Sequence, residues 1–162
     1  MAHFARLEEE TDPYNPSQKL WFVKEVVVIG NDVPTSNGPL GENDTHIDGE
    51  TYCQNLFKGG VWKQTSYNHK FRKQFAGKGF YYDFTKDRFI SSRPFPSWYL
   101  NNNDDWKAPV EYPSITTYTE NNEEKPYVIF WIEEDKTWKA RKEFDQSVTQ
   151  VWDPINSIWN QI

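Results

Sequence analysis

Tyr127-Val128-Ile129-Phe130-Trp131-Ile132-Glu133-Glu134-Asp135-Lys136-Thr137-Trp138-Lys139-Ala140-Arg141-Lys142 is the stretch that decides the fold class. Two runs rich in β-branched and aromatic residues, Tyr127 to Ile132 and Thr137 to Lys142, enclose a polar, acidic turn, and such runs favour pleated strands. Trp131 and Trp138 flank that turn, so they can face each other on neighbouring strands. The reading is an antiparallel hairpin pinned by an aromatic pair.

The same unit recurs upstream. Tyr82 and Phe89 flank the polar turn Asp83 to Arg88, and Trp98 and Trp106 flank Tyr99 to Asp105. Short candidate strands run from Val61 to Tyr67, Gly79 to Phe84, Asp87 to Ser91, Ser97 to Leu100 and Trp106 to Val110. Strands so closely spaced predict a mainly β fold, an antiparallel, aromatic-rich hairpin meander or small barrel. Nearer the N-terminus, Ala2 to Leu7 and Leu20 to Ile29 read as two further strands, joined by an exposed acidic loop from Glu8 to Lys19 that Pro13 and Pro16 interrupt. Val33 to Asp48, with its prolines, glycines and Asn/Asp residues, reads as a long loop.

One short helix is expected, from Gly49 or Glu50 to Phe57. Asp48 would cap it, Tyr52, Cys53, Leu56 and Phe57 would share its inner face, and Gly59-Gly60 would stop it. Ser114 to Lys125 reads as a mobile connection. Beyond it, Phe144 to Ile162 carries Val148, Val151, Trp152, Ile155, Ile158, Trp159 and Ile162 at spacings near three and four, which suits a helix interrupted at Pro154. The expected organisation is a β-rich domain over residues 1–142 and a C-terminal extension or arm over residues 143–162.

Composition limits what such a chain can do. Its 162 residues carry 8 Trp, 9 Tyr and 11 Phe against one Met and one Cys, so large rings must build the core. A net charge of −6 opposes long-range attraction to nucleic acid and anionic membranes. No run approaches the roughly 18 apolar residues of a membrane span. Met1 to Arg6 lacks a basic segment followed by an apolar one, so residence in a cytoplasm is expected. Cys53 stands alone, which excludes an internal disulfide and a cysteine-built zinc cluster.

Catalytic, cofactor and metal residues are not expected. His3, His46 and His69 lie in separate segments without metal-ligand spacing. Asn101 to Asp105 lacks the bend glycine and trailing Glu of a calcium loop, and Gly77-Lys78-Gly79 is too short to cradle a phosphate and precedes a strand. Asp83 with Asp87, and Glu133 with Asp135, fall on turns, whereas glycoside hydrolysis needs two carboxylates across a cleft, one with its pKa raised by burial. Two binding surfaces remain arguable. Lys70, Arg72 and Lys73, with Lys78 nearby, form a basic cluster suited to an acidic protein neighbour. Exposed tryptophans of the hairpins, Trp98 and Trp131 foremost, could stack on sugar rings, although most rings of this chain are needed for packing.

Beyond these readings, the chain carries Met1-Ala2-His3-Phe4-Ala5, Trp62-Lys63-Gln64-Thr65-Ser66-Tyr67-Asn68, Phe71-Arg72-Lys73 with Ala76-Gly77 and Gly79, and Tyr82-Asp83 with Asp87, Phe89 and Ile90. Pro94-Phe95-Pro96-Ser97-Trp98, Leu100-Asn101, Trp106, Ala108-Pro109-Val110, Tyr112-Pro113 and the Trp131 and Trp138 pair continue the series. In these motifs it resembles a group of small proteins encoded by marine tailed phages, including those of cyanobacteria. The resemblance implies a non-enzymatic virion structural protein, a capsid-decorating or head-to-tail or tail accessory protein, assembled in the host cytoplasm. Its partners would be other virion proteins, in multiple copies per particle, without cofactor, nucleic acid or membrane. The alternative is a receptor-binding module of a tail fibre that binds host surface glycan. The segment Glu9 to Lys19 and the extension after about Arg141 depart from the group's pattern and are expected to make particle-specific contacts, the latter through Trp152, Ile155, Ile158 and Trp159.

Overall fold

Alternation in Ala2-His3-Phe4-Ala5-Arg6-Leu7 sends small and apolar side chains to both faces of one strand, because successive residues of a strand point to opposite sides. That strand, β1 (Ala2–Asp12), is central to the first half of the protein. In the computed structural model, which describes residues 1–35, 38–40, 47–145 and 149–162, the chain divides into two units, Met1–Ser92 and Arg93–Ile162.

In the first unit β1 pairs with β2 (Asn15–Ile29) and with β5 (Val61–Thr65), and β2 pairs in turn with β6 (Tyr81–Asp83), which is followed by β7 (Arg88–Ile90). Two minor strands, β3 (Pro34–Thr35) and β4 (Gly38–Pro39), and helix α1 (Ile47–Leu56) lie between β2 and β5 in sequence. The resulting order is β5-β1-β2-β6-β7, antiparallel throughout. On one face Ala2 and Phe4 pack with Ile29, Leu40, Trp62 and Cys53 of α1. On the other, Ala5 and Leu7 pack with Val23, Ala76, Tyr82 and Phe89.

The helix starts at Ile47, two to three residues earlier than the capping reading predicts. Asp48 lies inside its first turn, where a carboxylate suits the positive end of the helix dipole. Its inner face is Gly49 and Cys53, with Tyr52 partly buried, whereas Leu56 and Phe57 are half-exposed. The reason is close approach: a Cβ at Gly49 would lie 2.4 Å from the Phe4 ring and 2.9 Å from Leu40. The C-terminus closes as a Schellman motif. Lys58 takes the left-handed conformation (φ 57°), the Gly59 amide donates to the Gln54 carbonyl, and the Lys58 amide donates to that of Asn55.

Three segments depart from the sequence reading. Glu8 to Lys19 is not a loop. β1 and β2 continue their ladder to Thr11↔Lys19 and turn at Asp12 to Asn15, beyond the pairings with β5 and β6. Cross-strand ion pairs, Glu9 with Lys19 and Glu10 with Lys24, supply what apolar alternation does not. Ser114 to Lys125 is not a free connection either. In the second unit β10 (Thr117–Glu120) pairs with β11 (Glu123–Ile132) across Asn121-Asn122, both at positive φ (52° and 62°), a two-residue turn matched to strand twist.

The third is the C-terminal segment. Residues 149–161 form no helix: β13 (Thr149–Asp153) and β14 (Ile158–Gln161) make a hairpin with Trp152 opposite Trp159. Pro154 occupies the first loop position, where a fixed φ and a missing N–H are tolerated, and Asp153 Oδ1 accepts hydrogen bonds from the amides of Ile155 and Asn156. Apolar spacing near three and four arose because strand residues and loop residues both contributed to the count. Val148 lies outside the described residues. The boundary expected at residue 142 falls between β12 (Thr137–Lys142) and β13, which pair as neighbours within the second unit.

The second unit is therefore a five-stranded meander, β10-β11-β12-β13-β14, preceded by the small hairpin of β8 (Tyr99–Leu100) and β9 (Trp106–Lys107). Its core is Trp131, Trp138 and Trp152. The sheet curls. Strands spaced about 4.8 Å apart would put β11 and β14 roughly 14 Å apart if flat, yet the rings of Tyr127 and Trp159 are 5.7 Å apart. The protein is mainly β, with one short helix and packed aromatic clusters.

Candidate functional site

A groove of about 600 Å³ opens in the second unit, where the β8–β9 hairpin and the segment that follows it meet Trp138 of β12. Local structure holds its wall. The Trp98 amide closes a turn on the Phe95 carbonyl at 3.1 Å, and the Arg93 guanidinium donates to the Pro96 carbonyl. The β8–β9 turn is fixed by Asn101, whose Oδ1 accepts from the amides of Asn103 and Asp105. Trp138 anchors the opposite side, donating its indole N–H to the Val110 carbonyl at 2.9 Å.

Aromatic faces dominate the lining. Trp98 meets Trp138 edge-on at 5.9 Å, and Tyr112 meets Trp138 edge-on at 5.1 Å. Tyr99 and Tyr112 are 55% and 58% exposed. Arg93 lies 4.9 Å from the centroid of Trp106, against one face of that ring. Asn101, Lys107 and Glu111 add polar groups. The Trp98 indole nitrogen is buried and makes no hydrogen bond among the described residues.

Trp98 and Trp131 are brought together, 6.2 Å apart and edge-on, but only Trp98 lines the groove. Trp131 is 5% exposed and offers no face to a sugar. Its indole N–H donates to Glu133 Oε2, and Glu133 also accepts from the Ser97 amide and hydroxyl, all at 2.8 Å. These bonds, that of Trp131 first, hold the Glu133 carboxyl below its usual range. Trp98 and Trp106 are not hairpin mates as expected. Trp106 stands opposite Leu100, because the hairpin is centred on Asn103, one residue later than a Trp98–Trp106 pairing requires, around the Asn101 to Asp105 loop with Asp104 left-handed. Tyr99, Trp106 and Tyr112 were not singled out for ligand contact. Tyr112 lies outside any strand, where pairing arguments do not reach.

The basic cluster is divided. Arg72, with a side chain 11% exposed, is an internal brace: it pairs with Glu50 at 2.8 Å and Asp87 at 2.9 Å, donates to the Gln64 carbonyl and lies against the Tyr82 ring. Burial would favour the neutral guanidine, but Glu50 outweighs it and Arg72 is held more firmly charged. Burial and the bond to Asp87 push the Tyr82 hydroxyl upward. Asp87 resists its own partial burial and is held low by Tyr82 and Arg72. Arg72 is thus removed from any partner surface, while Lys70 is exposed and Lys73 half-buried.

The four C-terminal candidates divide likewise. Trp152 is buried and packs on Trp159 at 5.1 Å, whereas Ile155 is 90% exposed at the hairpin tip and Ile158 is 45% exposed. Cys53 is fully buried, and burial, with Glu50 adding to it, pushes its thiol up to about 12.

Among the described residues no group of three or more His, Cys, Asp or Glu side chains is placed to hold a metal ion. His3 stacks on Tyr67, the His69 Nδ1 accepts from the Phe75 amide, and His46 lies outside the described residues. Gly77 to Gly79 forms a tight turn in which the Phe80 amide returns to the Gly77 carbonyl. No family model, curated protein or solved structure matches the chain.

Proposed function

We propose that the chain is a non-enzymatic structural component of a tailed-phage virion, a capsid-decorating or head-to-tail or tail accessory protein that acts through protein–protein contacts. The motifs between Trp62 and Pro113 that resemble phage structural proteins supply the setting. The observation that carries the mode of action is the outer side of β14. It is the last strand of its sheet, and Ile155, Ile158 and Ile162 beside it are 90%, 45% and 70% exposed. An edge strand flanked by apolar side chains is suited to receive a strand from another chain, whose backbone completes the ladder.

Complementation tests the proposal. Phage grown on a chain carrying Ile155→Lys, Ile158→Lys and Ile162→Lys, folded as judged by circular dichroism, should yield particles depleted of it. Incorporation equal to that of the unaltered chain would remove β14 as the contact.

A further inference from the structure

The groove of the second unit has features that packing alone does not require. We propose that it binds a neutral saccharide, seating one hexose unit of a glycan against Tyr99, Trp106 and Tyr112. The site is independent of the virion assignment, since it belongs to the isolated chain and is tested on it.

Its volume, about 600 Å³, lies within the roughly 300–1,000 Å³ of small-ligand sites, which combine apolar and aromatic walls with a few placed polar groups. A pyranose matches that combination. Its C–H faces are apolar and slightly positive, so they settle on the negative faces of aromatic rings, while its hydroxyls need partners around the rim. Tyr99 and Tyr112 are more than half exposed. Trp106, with Arg93 over one face, adds its ring to the lining. Asn101 can donate and accept, Glu111 accepts and Lys107 donates. Glu111 and Lys107 offset each other in charge, which favours a neutral sugar over a sialylated or sulfated one.

Trp98 adds its ring to the groove lining, while its indole nitrogen is buried and closed off from solvent.

The purified full-length chain is applied to a glycan array holding neutral and anionic oligosaccharides, and the strongest neutral hit is titrated by the quenching of tryptophan fluorescence. The expected result is saturable binding to neutral hexose-bearing glycans. Tyr99→Ala with Tyr112→Ala should weaken it at least about tenfold, the size of effect expected for two lost stacking rings, with the native fold retained as judged by circular dichroism. Tyr67→Ala, which removes an exposed ring of the first unit, should leave it intact. The proposal is overturned if no glycan binds, if only anionic glycans bind, or if the double tyrosine variant binds as the unaltered chain does.

Discussion

Trp159, on the last strand of the second unit, donates its indole N–H to the carbonyl oxygen of Ile115, 2.8 Å away and just ahead of that sheet's first strand. The bond ties the two ends of a five-stranded meander, and it exists because the sheet curls far enough for β14 to reach the approach to β10. Deleting residues 146–162 removes this tie together with Trp152 from the tryptophan core. The second unit should then lose its cooperative melt and its near-ultraviolet circular dichroism. A truncated chain that melts unchanged would show that β13 and β14 are appendages.

Trp159→Phe keeps most of the ring and removes only the donor. Since a single hydrogen bond contributes about 1 kcal/mol net, a small fall in melting temperature is expected. Trp138→Ala removes a buried ring as well as the bond to Val110, and large-to-small changes of that kind cost about 3–5 kcal/mol. Chemical denaturation of both variants should order them accordingly.

Gly49→Ala separates two opposing effects. In an isolated helix the change would stabilise by about 1 kcal/mol. Here the new Cβ would meet the Phe4 ring at 2.4 Å, and overpacking of a tight core costs about 1–3 kcal/mol. We expect net destabilisation of the first unit, relieved by Phe4→Leu in the same chain.

Acid should loosen the second unit through Glu120. Lys142 and Lys125 lower its pKa from 4.5 to about 2, so its ion pairs contribute fully above the higher value and are lost as pH falls through the lower one. The melting temperature of Glu120→Gln should fall less between pH 4.5 and 2 than that of the unaltered chain. Added salt should shrink the difference, because the pairs are open to solvent.

Cys53, buried against Phe4 and Leu40 with its thiol pushed up to about 12, should resist thiol reagents at pH 8 in the native protein and react at once in denaturant. Prompt native labelling would mean that α1 detaches readily from the sheet.

Much of this fold was legible in its aromatic hairpins. Tyr82 with Phe89 and Trp131 with Trp138 were read as cross-strand mates, and both stand directly opposite each other at centroid distances of 4.9 and 5.1 Å. Trp152 with Trp159 repeats the same seven-residue interval, the same four-residue loop and the same left-handed residue before the returning strand: Asp87, Lys136 and Ser157. That third copy was hidden by Ile155, an exposed loop residue that completes an apparent helical stripe. Helical periodicity counts apolar residues without knowing which are buried. The β1–β2 ribbon escaped for the opposite reason, since ion pairs and not apolar alternation carry its outer half.

The site was half legible. Trp98 was named and lines the groove, but Trp131 could be assigned to the interior only after its bond to Glu133 was seen, and Arg72 only after Glu50 and Asp87 were found around it. Burial of a charged or aromatic side chain depends on partners far away in sequence, and no local pattern encodes them.

The central claim, that this chain is a building block of a phage particle, is tested most directly by quantitative mass spectrometry of particles purified from an infected culture that expresses it. The account predicts peptides from both units in the particles, at the copy number of a repeated capsid, neck or tail subunit. Peptides abundant in infected cells but missing from purified particles would contradict it.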